Sequence, residues 1–328
     1  MRSGIRRTAA TTVWLLCFAF LATGLTRRTV AQPEPRPIPR TPDGRPDFQG
    51  VWNFATLTPL ERSNEFADKS SVGDAEAAEF VRRQLATANA DNRPRADYNE
   101  FWFERPTSMT RLNGRNLTSR IIEPRDGRIP PLTRAAQDRV AAVQKARRDH
   151  PADGAEDRTM PERCLSASPL IEPAGGGTNN LLEIVQTPNH LALHTELMSV
   201  LRIVSIGRRD HLPLSIRLSN GDSVARWEGD TLLVDTTNYV GRFDFMFSAV
   251  DENLHLVQRL QLLDPKTLFI EQTIDDPTAF SKPWTVALTL ARVDARTFEY
   301  ACHEGNYGLR NILSGARAEE AELSRRPK

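Results

Sequence analysis

His255, Asp275, His303 and Glu304 are the residues in which this chain comes nearest to a chemistry of its own. His255 sits in Leu254-His255-Leu256-Val257 and, in the hairpin register argued below, faces Asp275. A carboxylate beside an imidazole orients the ring and raises its basicity, which suits general acid–base catalysis. With His303-Glu304, these residues form a candidate catalytic set for a cofactor-independent hydrolase or isomerase. The competing reading is a solvated sheet face with ordinary cross-strand ion pairs, of which Arg259 and Glu271 would be one. Other chemistries lack their motifs, since the chain has no phosphate loop, no Gly-x-Ser-x-Gly, no His-Glu-x-x-His and no Cys-x-x-Cys. Gly175-Gly176-Gly177 is not followed by the Lys-Ser/Thr of a phosphate site. Of the six histidines only His190 and His194 are closely spaced, and four residues along a strand separate them by roughly 13 Å. Neither a metal nor an organic cofactor is expected.

A second class of function needs no catalytic convergence. If the strands close into a barrel, its mouth offers a cavity in which Trp102, Trp227 and Trp284 could hold a small apolar or amphipathic molecule. This binding reading takes precedence. The register places His255 and His303 on the face opposite the apolar one, so they converge only if the polar faces point inward.

The elements that position these residues follow from pattern. Phe48 to Phe54 reads as a strand with Trp52 in the core, and 75–88 and 133–148 read as helices, the second capped by Thr133. From Cys164 onward strands follow one another. Thr187-Pro188-Asn189-His190 and Glu228-Gly229-Asp230-Thr231 mark hairpins. Around Asp264-Pro265-Lys266, pairing Leu263 with Thr267 sets Leu262 against Leu268, Leu260 against Ile270 and Leu256 against Ile274 on one face. The other face then pairs Arg259 with Glu271 and His255 with Asp275. A last hairpin about Asp294-Ala295-Arg296 sets Leu290 opposite Tyr300 and Leu288 opposite Cys302, with Ala287 and His303 on the other face, before a terminal helix over 309–325. The fold expected is mainly β, an antiparallel calycin- or lipocalin-like barrel or half-barrel of roughly eight to ten strands with a few peripheral helices. A two-sheet sandwich is the alternative.

With 328 residues, 39% of them hydrophobic and 26% charged, the composition is that of a globular protein. A net charge of +1 provides no field for collecting nucleic acid. Arg2, Arg6 and Arg7 ahead of the apolar run 9–25 read as a secretory signal ending at Ala31. Residues 32–47 read as an extended tether, and 48–328 as a single β-rich domain with a helical and irregular insertion over 75–160. The mature chain would be periplasmic or secreted, with no stable membrane insertion. Its two remaining cysteines, Cys164 and Cys302, would then meet in an oxidising compartment and form a disulfide, the rival being two buried thiols.

Gly50-Val51-Trp52, Asp126 to Leu132, Arg226-Trp227-Glu228-Gly229-Asp230-Thr231-Leu232, Leu254-His255-Leu256-Val257 and Cys302-His303-Glu304-Gly305-Asn306-Tyr307-Gly308 together resemble a family of exported bacterial proteins without an assigned function. The resemblance spans most of the mature chain and implies export. It brings no activity, and Gln258 stands where the family is expected to carry Glu, which argues against an essential acid at that position.

Overall fold

Nine strands close into a ring. In the computed structural model, residues 37–90, 106–165, 168–173, 178–208, 210–241, 243–244 and 248–325 are described. The expected signal segment, Trp102 and the triple glycine lie outside them. In chain order the strands are β1 (Gly50–Asn53), β2 (Ser71–Val72), β3 (Arg111–Leu112), β4 (Arg115–Leu117), β5 (Ile121–Glu123), β6 (Leu181–Gln186) and β7 (His190–Thr195). They continue with β8 (Val200–Ile206), β9 (Asp222–Glu228), β10 (Thr231–Thr237), β11 (His255–Asp264), β12 (Thr267–Asp275) and β13 (Trp284–Val293). The helices are α1 (Asp74–Ala90), α2 (Arg134–Asp149) and α3 (Tyr307–Arg325). Strands β6 to β13 lie side by side in sequence order, and β1 pairs with both β6 and β13, so the sheet shuts into a barrel and the sandwich is excluded. β5 adds to β13 beside the seam, and β2, β4 and β3 form a small separate sheet. One pair, β8 with β9, is parallel, so the barrel is mixed rather than wholly antiparallel.

The long hairpin has the expected register. Leu256 faces Ile274, Leu260 faces Ile270 and Leu262 faces Leu268, and all six are inside and buried. The turn differs by one residue: Asp264, not Leu263, faces Thr267. The Asp264 carboxylate accepts the Lys266 amide at 2.7 Å, and this side-chain turn at Pro265 leaves Leu263 bulged outward and exposed. The interior is filled by two apolar clusters, one with Trp52, Leu182, Ile184, Leu191, Val204, Leu232, Leu288 and Leu290 and the other with Leu254, Leu256, Ile274, Phe280, Trp284 and Val286. Each such fully buried side chain contributes about 1.5–3 kcal/mol.

The last hairpin does not form. Residues 294–302 are not a strand, and β13 instead takes β1 along Ala291 to Val293 and β5 at Thr285 and Val286. The non-local partner prevails because β1 brings Trp52, wholly buried, with its indole Nε1 donating to the Phe48 carbonyl at 2.9 Å and Arg292 4.5 Å above its ring. Residues 37–47, expected to be extended, also pack against the barrel. They turn back between Arg40 and Pro46, Arg40 reaches Asp230 at 2.7 Å, and Ile38 joins the core. All three expected helices are present, and Thr133 Oγ1 caps α2 by accepting from the Ala136 amide. Within the insertion, Leu117 covers Phe269 and Ala287 on the outer wall.

A strap of chain, residues 168–173, runs inside the barrel. Pro169, Leu170 and Ile171 are buried, and Leu170 and Ile171 belong to different core clusters. An irregular backbone cannot lie in an apolar interior unless its polar groups are matched. Gln272 matches them: its Oε1 accepts the Ile171 amide at 3.0 Å and its Nε2 donates to the Ile171 carbonyl at 2.7 Å. Gln258 Nε2 donates to Gln272 Oε1 at 2.8 Å, and Arg202 donates to Gln258 Oε1 at 2.7 Å and to the Pro169 carbonyl. Just upstream of the strap, Cys164 and Cys302 form a disulfide, so Cys302 lies in a turn before α3 rather than on a strand.

Two outcomes follow for stability. Gln272→Leu leaves the Ile171 amide and carbonyl without partners in the interior, and chemical denaturation should show a loss of about 2–5 kcal/mol. The disulfide closes a segment with a sequence separation of 138, so Cys164→Ser with Cys302→Ser should lower stability by about 5 kcal/mol in the chain-entropy model. A double variant as stable as the parent would show that the cross-link does not constrain the unfolded chain.

Candidate functional site

One polar cluster lies outside the barrel, and a pocket with charged residues in its lining lies at its mouth. The outer site begins with His255. In register it faces Asp275, but its Nε2 meets Asp235 Oδ1 at 2.9 Å, across the other neighbouring strand, β10. Asp235 Oδ1 also meets His211 Nε2 at 3.1 Å, and His211 Nδ1 meets Asp222 Oδ2 at 3.0 Å. Asp222 further accepts the Leu212 amide at 2.8 Å and a bond from Arg208. His211 and Arg208 come from the connection between β8 and β9, so the cluster fastens that loop onto the outer wall.

The charges support one another. The hydrogen bond with Asp235, aided by the charges of Asp235 and Asp275, raises His255 above its ordinary pKa against the opposing effect of burial. The bond with His255 lowers Asp235 in turn. Burial would raise Asp222, but the bonds from Leu212, Arg208 and His211 outweigh it and hold the carboxyl below the usual range.

The other members of the expected catalytic set do not join this cluster. His303 and Glu304 are exposed in the turn before α3 and make no side-chain hydrogen bond among the described residues. Asp275 contributes only its charge. The same substitution of neighbours occurs at Arg259, which faces Glu271 but bonds Glu228 at 2.9 Å. Each outward residue of a central strand has neighbours on both sides, and pairing within one hairpin considers only one of them. Asp235 was legible as the outward residue between Val234 and Thr236 on the preceding strand. His211 and Asp222 carry no such signal, because a long loop brings them together.

The mouth site is a pocket of about 370 Å³ between β7, β8 and the strap. Leu193 and Phe54 form its floor, Leu197, Met198 and Val200 its rim, and Leu170 and Ile171 its inner side. Two charged residues line it, Arg202 and Glu172. Burial pushes the Glu172 carboxyl up, against a hydrogen bond from Ser168 and the charge of Arg120. Of the expected tryptophans, Trp227 stacks on Phe48 at 5.5 Å and Trp284 is fully buried against Phe280, so both serve packing and neither lines this pocket. Among the described residues no group of three or more His, Cys, Asp or Glu is placed to hold a metal ion, and no helix is long and apolar enough to cross a membrane.

Comparison with family models finds no match, and comparison with curated proteins finds no significant one. Among solved structures the chain is similar to the wild-type fluorescent protein UnaG, at 14% identity over 34% of this chain and 72% of that one, with a TM-score of 0.22. A point mutant of UnaG matches at 15% identity over 35% and 72%, with a TM-score of 0.23. A luciferase domain from the dinoflagellate Lingulodinium polyedrum matches at 12% identity over 67% and 63%, with a TM-score of 0.24. Superpositions this loose carry no functional argument. The closed barrel rests on its own strand pairing.

The ion pair of the outer cluster has a definite pH window. The folded pKa of His255 is raised, so its contribution is complete below its unfolded value near 6.5 and is lost as pH rises through the higher folded value. Asp235 is lowered, so its contribution is present above 3.8 and is lost as pH falls through its folded value. The His255 side chain is 39% exposed, so solvent screens the pair and the effect on stability is small. Ring proton shifts are therefore the better readout. The His255 midpoint should lie above 6.5 in the parent and fall in Asp235→Asn; a parent midpoint at or below 6.5 would contradict the pairing.

Proposed function

We propose that the protein is an exported binding protein that holds a small apolar or amphipathic molecule at the barrel mouth. The observation that carries this reading is the pocket between β7, β8 and the strap, whose walls are mostly aliphatic and which Arg202 and Glu172 also line. Its size falls at the small end of the roughly 300–1,000 Å³ usual for ligand sites. The charged and apolar N-terminal pattern favours export, and so does the bond between Cys164 and Cys302, since disulfides persist in oxidising compartments.

Hydrolysis or isomerisation through His255 has less support. Its partners fasten a loop to the outer wall, and none of His211, Asp222, Asp235 and His255 lines the pocket.

The test is titration with the neutral, environment-sensitive probe N-phenyl-1-naphthylamine. Saturable binding with a stoichiometry of one is expected. Leu197→Trp, which fills the rim, should weaken it at least tenfold while the unfolding transition stays cooperative. Absence of saturable binding, or binding indifferent to Leu197→Trp, would reject the site.

A further inference from the structure

Among the described residues, Arg202 is a buried cation with no ion-pair partner. The residue is 8% exposed, lines the pocket, and spends two of its five N–H donors, one on the Gln258 amide oxygen and one on the Pro169 carbonyl. Both acceptors are neutral, and Nε is buried without a partner among the described residues. Charges withdrawn from water are ordinarily paired, because desolvation costs several kcal/mol per ion and a neutral acceptor repays little of it.

The surroundings deepen the imbalance. Arg120 is a second buried arginine, its Nε also unpartnered, and burial lowers its pKa. The carboxylate whose charge it feels is Glu172, the other charged residue of the pocket wall. Glu172 shares the pocket lining with Arg202, but the side-chain bonds of Arg202 among the described residues go to Gln258 and Pro169 instead. A guanidinium with free donors at an otherwise aliphatic pocket suits a ligand with one anionic, planar head and an apolar body.

We infer that the pocket takes a small amphipathic carboxylate whose head pairs with Arg202 while its chain lies against Leu193, Leu197 and Met198. This rests on the binding function proposed above and specifies its ligand class. Gln258 takes part in the selectivity: as a neutral amide it occupies one Arg202 donor without cancelling the charge, so the charge stays available to the ligand.

The experiment compares decanoate, decanol and decylammonium, three probes of nearly equal chain and different head, by calorimetric titration of the full chain. Decanoate should bind at least tenfold more tightly than decanol, and decylammonium more weakly than either. Gln258→Glu, of nearly identical shape, supplies an internal carboxylate to Arg202 and should remove the preference for decanoate over decanol. Arg202→Met should also remove the preference for decanoate over decanol, and the probe series on the parent decides the matter even if that variant folds poorly. Equal binding of decanoate and decanol, or a carboxylate preference that survives Gln258→Glu, would overturn the Arg202 assignment and leave the binding function standing. Failure of all three probes together with the naphthylamine would overturn both.

Discussion

The double hydrogen bond between Gln272 and the backbone of Ile171 is the constraint on which the rest of the interior depends. Without it a stretch of irregular chain could not occupy the barrel, since an unmatched amide or carbonyl in an apolar surrounding costs about 1–3 kcal/mol. With it, the strap divides the fill into two apolar clusters and leaves a hollow on the β7–β8 side. Gln258 is held in turn by Gln272, and Arg202 by Gln258. The pocket, its charge and its position are thus all set by one row of inward-facing side chains that interrupts an otherwise aliphatic wall.

Much of the fold was legible, and the reasons for the misses are specific. Where partners are adjacent in sequence, as in the β11–β12 hairpin, alternation determined the face and almost the register, because a slip of one residue would turn Leu256, Leu260 and Ile270 outward. Alternation failed after Val293. A plausible local hairpin there competes with β1, some 240 residues earlier, and nothing in the local pattern reports the packing value of Trp52. The parallel pair β8–β9 was hidden for a similar reason, since the intervening connection looks like any long loop.

The site was less legible than the fold. Gln258 and Gln272 occupy positions where alternation demands apolar residues, and that violation was the available signal for the polar row. The tryptophans misled because large aromatics close cores as readily as they line cavities: Trp284 has Phe280 at 5.5 Å and no exposed surface. His255 proved to be part of a charged cluster, but with partners from β10 and a loop rather than from β12.

The position of β1 has a consequence for how the molecule is made. Strands β6 to β13 can assemble in the order of synthesis, each on its predecessor or the one beyond. β1 emerges first, yet its two neighbours, β6 and β13, are both later, and the second is complete only at Val293. The ring therefore closes last, around the first strand synthesised, and until then Trp52 and two strand edges stay available to wrong partners. Such dependence on contacts distant in sequence slows folding and lengthens exposure to aggregation.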